Sequence, residues 1–368
     1  HPVFNLASAR RIAGAAADPR MVAQRAVDEI PRGPLVGIPG APQHIPLPLD
    51  ARQSQWTVCD DTRTQTTTVI AGPIADGPVR TARSALVVAR GEGAADTYLL
   101  YDGRRARVDL RHPAVVRALG LDGATPQPVA PALLAAIPEA PPIVPPHIPA
   151  GPSVLPELPA GTVLRIPGRA DTTGSDLFVL LADGVQRIGE IAADLIRYTD
   201  SRAGGGIAQV PADRIGALPV VDALPVTTFP QQAGVRDDPI VCALWESGAP
   251  ARTAVLTGTE LPAGPPPVTL AQSDGAGSDL DAVSMPAGRG AFVRAVGLTG
   301  TGQQSGPMFL VTDAGVRFGV TDADAAAALG LVDSPVPAPW PVLAALPAGP
   351  ELSREAASVS RDGVGASP

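Results

Sequence analysis

The sequence predicts an α+β protein, elongated and internally duplicated, in which a central β-sheet domain carries four small α/β repeats related by pseudo-twofold symmetry. Three observations predict this fold. Residues 98–139 and 308–351 follow one design, the segments between such repeats are themselves related, and the only two cysteines occupy matching places in the two halves. The composition agrees: 45% of the 368 residues are hydrophobic, enough for real cores, while 43 prolines and 39 glycines impose short elements and frequent turns.

Taken in order, residues 1–50 form a first and weaker repeat, with Arg11-Ile12 matched to Arg187-Ile188 of the third. Residues 51–95 are the first half of the central domain, rich in strand formers: QWTVCDDTRTQTTTVIAG (55–72) and SALVVARG (84–91). The second repeat, 96–140, opens with YLLYDGRRARVDL (98–110), whose alternating apolar residues broken by Asp102-Gly103 specify a hairpin. A helix follows, with Pro113 suited to its first turn, Val115, Val116 and Leu119 at helical spacing, and Gly120 near its end. Leu134 to Ile137 then favour a second short helix closed by Pro138.

Residues 141–160, PPIVPPHIPAGPSVLPELPA, form a linker too rich in proline for regular structure. The third repeat, 161–230, carries its turn at Asp183-Gly184 and an insertion at Ala203 to Gly206. The second central half, 231–305, pairs DPIVCALWESGAPARTAVLTG (238–258) and GAFVRAVG (290–297) with the segments of the first. The fourth repeat, 306–352, repeats the ALGL of 118–121 at 328–331, and the tail 353–368 is expected to be disordered. Duplication in tandem implies that the central strands of both halves share one mixed or antiparallel sheet. The linker keeps repeats two and three together, so repeat one meets repeat four.

Cys59 and Cys242 each lie inside an apolar strand-like run. Residues related by a twofold touch only near its axis, so a disulfide between them would clamp the halves and require an oxidising compartment. The other reading is two buried free thiols packed as small hydrophobes.

PVFNLASAR at the start, PRGPLVGIPGAP (31–42), QWTVCD (55–60) and TYLLYDGRRARVDL (97–110) resemble the EccB family of the mycobacterial type VII (ESX) secretion membrane core. The likeness runs from Pro2 to about Glu351. It implies a central domain with four repeats and one disulfide, and a location on the periplasmic side of the inner membrane. It also implies an upstream cytoplasmic segment and a single membrane helix, in keeping with a chain that opens at His1 and holds no apolar run long enough to span a bilayer. The partners implied are the other ESX core components and further copies of the chain itself.

Residues that could carry chemistry are few. All 28 basic residues are arginine, so neither a Schiff base nor a P-loop lysine is possible, and a net charge of −8 without an arginine stripe argues against nucleic acid as a partner. Some EccB proteins are described as ATPases, which leaves enzymatic activity open. The glycine cluster Gly300 to Gly306, however, has the wrong spacing for a nucleotide loop and precedes a strand, so it reads as a hairpin loop. His1, His44, His112 and His147 lack metal-ligand spacing, no G-x-S-x-G elbow occurs, and Asp274, Asp279 and Asp281 lie in a stretch that resembles a single turn of a calcium-type array but, without stacked neighbours, reads as a solvated loop. Asp60-Asp61 and Asp237-Asp238 read as solvated strand ends, and Arg104, Arg105, Arg107 and Arg111 as a solvated basic face. No catalytic, cofactor or metal residues are expected. The function expected is therefore structural, through protein–protein assembly; the alternatives are a peptidoglycan-binding anchor and, third, nucleotide hydrolysis.

Overall fold

Proline and glycine divide the chain into short elements, none of them a helix long and apolar enough to cross a membrane among the described residues. The computed structural model describes every residue except 51–54, 76, 78, 82–83, 92–95, 167–175, 200–205, 302–304, 332 and 362–368. The first elements are α1 (Leu6–Ala13), α2 (Gln24–Asp28), β1 (Leu47–Pro48), β2 (Gln55–Asp61), β3 (Thr66–Ala71) and β4 (Val79–Thr81). Then come β5 (Ser84–Ala89), β6 (Thr97–Tyr101), β7 (Arg104–Arg107), α3 (Pro113–Ala118), β8 (Gln127–Val129) and α4 (Pro131–Ala135). Next are β9 (Val163–Ile166), β10 (Asp176–Leu180), β11 (Val185–Ile188), α5 (Glu190–Thr199), β12 (Ile207–Gln209) and α6 (Ala212–Gly216). The strands β13 (Ile240–Glu246), β14 (Arg252–Gly258), β15 (Val268–Thr269), β16 (Ala282–Ser284) and β17 (Arg289–Val296) follow. The chain closes with β18 (Met308–Thr312), β19 (Arg317–Val320), α7 (Ala323–Leu329), β20 (Val336–Pro339), α8 (Trp340–Ala345) and α9 (Arg354–Ala357).

These elements form two compact units. The first holds residues 1–80, 130–137 and 239–368; the second holds 81–129 and 138–238. In the first, a seven-stranded mixed sheet runs β15-β16-β3-β2-β13-β14-β4. Its middle is the antiparallel pair β2 and β13, so the related segments of the two halves do share one sheet. The second sheet of this unit runs β1-β17-β18-β19, with β20 also on β17. Its core is Phe292, Leu310 and Phe318 against Ala325 and Leu329 of α7 and Ala7 of α1.

The second unit contains two four-stranded sheets, β7-β6-β5-β8 and β11-β10-β9-β12. Leu99, Val115 and Leu119 of the one pack with Val179, Ile191 and Leu195 of the other in a single core. Three sheets of the molecule thus share one plan: a strand, an antiparallel hairpin, a helix, a parallel strand back on the first, and a short helix. In each, a following segment lies parallel to the outer hairpin strand, through Arg105↔Glu139, Val185↔Val220 and Arg317↔Ala348. The first hairpin turns as expected at Asp102-Gly103, whose φ angles of 45° and 69° are the left-handed pair of a tight hairpin turn. At Gly184 a Cβ would lie 2.5 Å from the Pro219 carbonyl oxygen, so the covering segment itself demands glycine.

The structure corrects several expectations. β5 and β17, assigned above to the central halves 51–95 and 231–305, pair instead with the hairpins that follow them. Both faces of these strands are buried, and similarity between them does not reveal which sheet does the burying. The first repeat has no hairpin. Arg11 and Ile12 lie in α1, because Asn5 caps it by accepting the Ser8 N–H at 2.9 Å and Gly14 ends it in the left-handed region, whereas Arg187 and Ile188 lie in β11.

The segment 141–160 is irregular but not a spacer, since Ile143, Ile148 and Leu155 enter the cores of the second unit. The tail is ordered through Arg361: Ser353 caps α9, Leu352 and Ala357 are completely buried, and the Arg361 N–H donates to the Leu35 carbonyl at 2.7 Å. Two apolar side chains suffice to hold a segment whose composition is otherwise polar. The insertion at Ala203 to Gly206 lies outside the described residues apart from Gly206.

Candidate functional site

The seam between β2 and β13 is the feature that ties the two halves of the sequence together. Their register sets Cys59 opposite Cys242, with Cα atoms 4.1 Å apart and the sulfurs bonded. The disulfide is fully buried among Ile70, Val79, Ile240 and Leu256. Three residues along, the same register sets Trp56 opposite Trp245, both buried. The Trp245 indole Nε1–H donates to the Leu298 carbonyl at 2.9 Å, satisfying the one polar group such a ring brings inside. Gln55 Nε2 donates across the end of the pair to Glu246 Oε1 at 2.8 Å. Alternation along a strand explains the pattern: residues opposite one another share a face, and the odd spacing of three puts the disulfide on one face of the sheet and the tryptophan pair on the other, each buried.

Asp60 departs from its expected role. It is completely buried, and its Oδ2 accepts from Thr67 Oγ1 at 3.1 Å and from the Ala130 N–H at 2.7 Å, just ahead of α4. Its neighbour Asp61 points the other way and accepts from Arg63. Burial opposes ionisation of Asp61, but the hydrogen bonds from Arg63 together hold its carboxyl below the usual range. The adjacent carboxylates therefore anchor backbone instead of forming an acid–base pair. Asp281, also buried, accepts from the Thr67 N–H, the Gly275 N–H and Ser273 Oγ, each at 2.8 Å, and Asp274 accepts from the Ser278 N–H at 3.0 Å. What resembled a turn of a calcium array is a hydrogen-bonded loop stitched to the sheet. No sequence signal marks Asp60 and Asp281 as buried acceptors, because the Ala130 N–H and the Thr67 N–H that anchor them are backbone amides distant in sequence.

The remaining candidates are not brought together. Among the described residues no group of three or more His, Cys, Asp or Glu side chains converges. His1 Nδ1 lies 3.0 Å from the Pro34 carbonyl oxygen, and His112 precedes α3 without a side-chain cap bond. The described part of Gly300 to Gly306 connects β17 to β18, as a hairpin loop. In the basic cluster, Arg105 and Arg107 share Glu139 at 2.9 and 3.6 Å, and Arg111 pairs with Asp109 at 3.0 Å. Asp238 likewise pairs with Arg236 at 2.7 Å.

A buried disulfide that joins paired strands 183 residues apart in sequence defines a class: a crosslinked domain suited to an oxidising compartment. The chain belongs to the EccB family of type VII secretion proteins. Residues 1–366 match the family described as "Type VII secretion system ESX-1, transport TM domain B". The chain is 38% identical to the "ESX-3 secretion system ATPase EccB3" of Mycolicibacterium smegmatis, covering 100% of this chain and 75% of that protein. It is 36% identical to the protein of the same description from Mycobacterium tuberculosis, over 98% and 74% of the two. Among solved structures it resembles that of an "EccB3 dimer from the ESX-3 core complex", with TM-score 0.81 at 34% identity over 98% and 95% of the two chains. It also resembles a chain of an "intact ESX-5 inner membrane complex", with TM-score 0.81 at 33% identity over 100% and 78%.

Proposed function

We propose that this chain is a structural component of a type VII (ESX) secretion membrane complex, working on the periplasmic side by assembly with other core components and with a second copy of itself. One observation carries the proposal: the whole chain superimposes on EccB chains solved within ESX complexes, one of them a dimer. The buried Cys59–Cys242 disulfide supports the oxidising side of the inner membrane, and an upstream helix would hold the domain there. Its function would then reside in interfaces, which need no convergent catalytic cluster.

The test is affinity purification of the tagged full-length protein from membranes. The expected result is a stoichiometric complex with the other core components on a native gel. Recovery of the chain alone, under conditions that keep the rest of the complex together, would refute the proposal. Wall anchoring is the weaker alternative, since Arg105, Arg107 and Arg111 already have carboxylate partners. Washed peptidoglycan should therefore retain the domain no better than an unrelated acidic protein. Nucleotide hydrolysis would have to proceed without any lysine. Turnover that persists through orthogonal purification and disappears with point changes would establish it; turnover that purifies away would not.

A further inference from the structure

Two of the three equivalent sheets place an arginine at one position and treat its charge in opposite ways. Arg105 of β7 lies opposite Leu100, and Arg317 of β19 opposite Val311, at the same place in the hairpin. Each stacks on the aromatic residue of the neighbouring strand, Arg105 at 5.5 Å from the Tyr98 centroid and Arg317 at 5.6 Å from that of Phe309. Each also faces the segment that covers the outer strand, where the partner of Arg105 is Glu139 and the partner of Arg317 is Ala348. Glu139 neutralises Arg105 at 2.9 Å. Ala348 can do nothing of the kind. The Arg317 Nε–H donates instead to the Leu346 carbonyl at 3.2 Å, and among the described residues its guanidinium makes no ion pair.

A second difference accompanies the first. Where α4 begins with Pro131, α8 begins with Trp340, whose side chain is 43% exposed and stacks on Phe309 with centroids 5.9 Å apart. The Arg317 guanidinium lies 5.5 Å from the Trp340 ring. The surface thus presents a half-buried guanidinium, without a carboxylate partner among the described residues, beside an exposed indole, with exposed Ala348 where a carboxylate would stand. Tryptophan and arginine are the side chains most enriched at the energetic centres of protein interfaces, and an arginine fork held against aromatic rings is set for a carboxylate.

We infer that Arg317, Phe309 and Trp340 form a docking site for an acidic segment of another polypeptide of the complex, its carboxylate on the guanidinium and a neighbouring apolar side chain on the indole. Charge complementarity selects this occupant, because the equivalent sheet shows a polypeptide carboxylate, Glu139, filling the same place. The inference rests on the assembly reading above and names the site through which that assembly acts.

Photocrosslinking in the purified membrane complex tests it, with p-benzoylphenylalanine in place of exposed Ala344, one helical turn beyond Trp340. The expected crosslink joins a polypeptide segment bearing Asp or Glu. Ala348→Glu, which supplies the missing internal carboxylate, should lower its yield about tenfold, as should Arg317→Gln, while Arg105→Gln leaves it unchanged. Thermal melts of each purified variant separate loss of the site from loss of the fold. A complex that assembles but whose crosslink ignores Ala348→Glu, or joins lipid, glycan or a segment without a carboxylate, overturns the inference and spares the assembly reading. A chain that never enters the complex overturns both.

Discussion

Asp322 shows how one side chain can carry an element boundary. Its Oδ1 accepts the Ala325 N–H at 2.7 Å and starts α7, and that bond holds its carboxyl below the ordinary value of 3.8. A carboxyl with a lowered folded pKa stabilises the fold above its ordinary value and stops doing so as the pH falls through the folded one. Asp322→Ala should therefore cost about 1 kcal/mol near neutral pH, with Asp322→Asn costing less. Thermal melts should show the difference from wild type shrinking as the pH falls below the ordinary carboxyl value.

Tyr101 behaves in the opposite sense. Burial pushes its phenol up to about 12 from 10.0, and its hydroxyl donates to the Thr228 carbonyl at 2.8 Å. That contribution is complete below the ordinary value and is lost as the pH rises toward the folded one. Ultraviolet titration of the three tyrosines should find one ionising near 12, and Tyr101→Phe should remove that step.

At the scale of elements, the repeated plan of strand, hairpin, helix and returning strand was only partly legible in sequence. Its first hairpin was, because that tight turn needs left-handed φ angles that Asp102-Gly103 supplies locally. Its helices were legible too, from Pro113 at the start of α3 and the apolar spacing behind it. The first strand in two of the three plans, β5 and β17, reads as a strand of the central halves and pairs elsewhere, since hydrogen-bond partners of a strand buried on both faces leave no mark on its sequence. The tail was missed for a related reason. Ala357 is completely buried in the same core as Leu352, Leu310 and Phe318, so a residue of the expected tail closes that core. Leu352→Ala, which opens that core where the tail enters it, should cost about 2–4 kcal/mol by denaturant unfolding.

For the molecule as a whole, the disulfide is the main covalent constraint. It closes 183 residues, for which chain entropy gives about 5 kcal/mol, with measured disulfides more often in the range of about 2–4. Replacing Cys59 and Cys242 together by alanine should lower stability by an amount of that order. The effect should match that of a reductant, because both act on the unfolded chain. If denaturant midpoints of the double variant and the wild type coincide under oxidising conditions, the crosslink contributes nothing. Assembly makes a separate prediction: sedimentation of the isolated domain should show a concentration-dependent dimer, and a monomer at all accessible concentrations would place self-association elsewhere in the full-length protein.

Local chemistry was decided by the sequence alone: where the chain turns at Asp102-Gly103, where α3 begins, and, through the match of 55–72 with 238–258, that the strands carrying Cys59 and Cys242 belong to one sheet. The first two depend on backbone preference, a property of neighbouring residues, and the third on repetition, which a comparison of distant segments reveals without any knowledge of their contacts. Only the tertiary structure decided which sheet receives β5 and β17, that Asp60 is a buried acceptor, and that Arg105 meets Glu139 while Arg317 meets Ala348. Each of those outcomes turns on a partner more than thirty residues away or on a strand edge, and a pairing between distant groups is set by packing that no single segment contains.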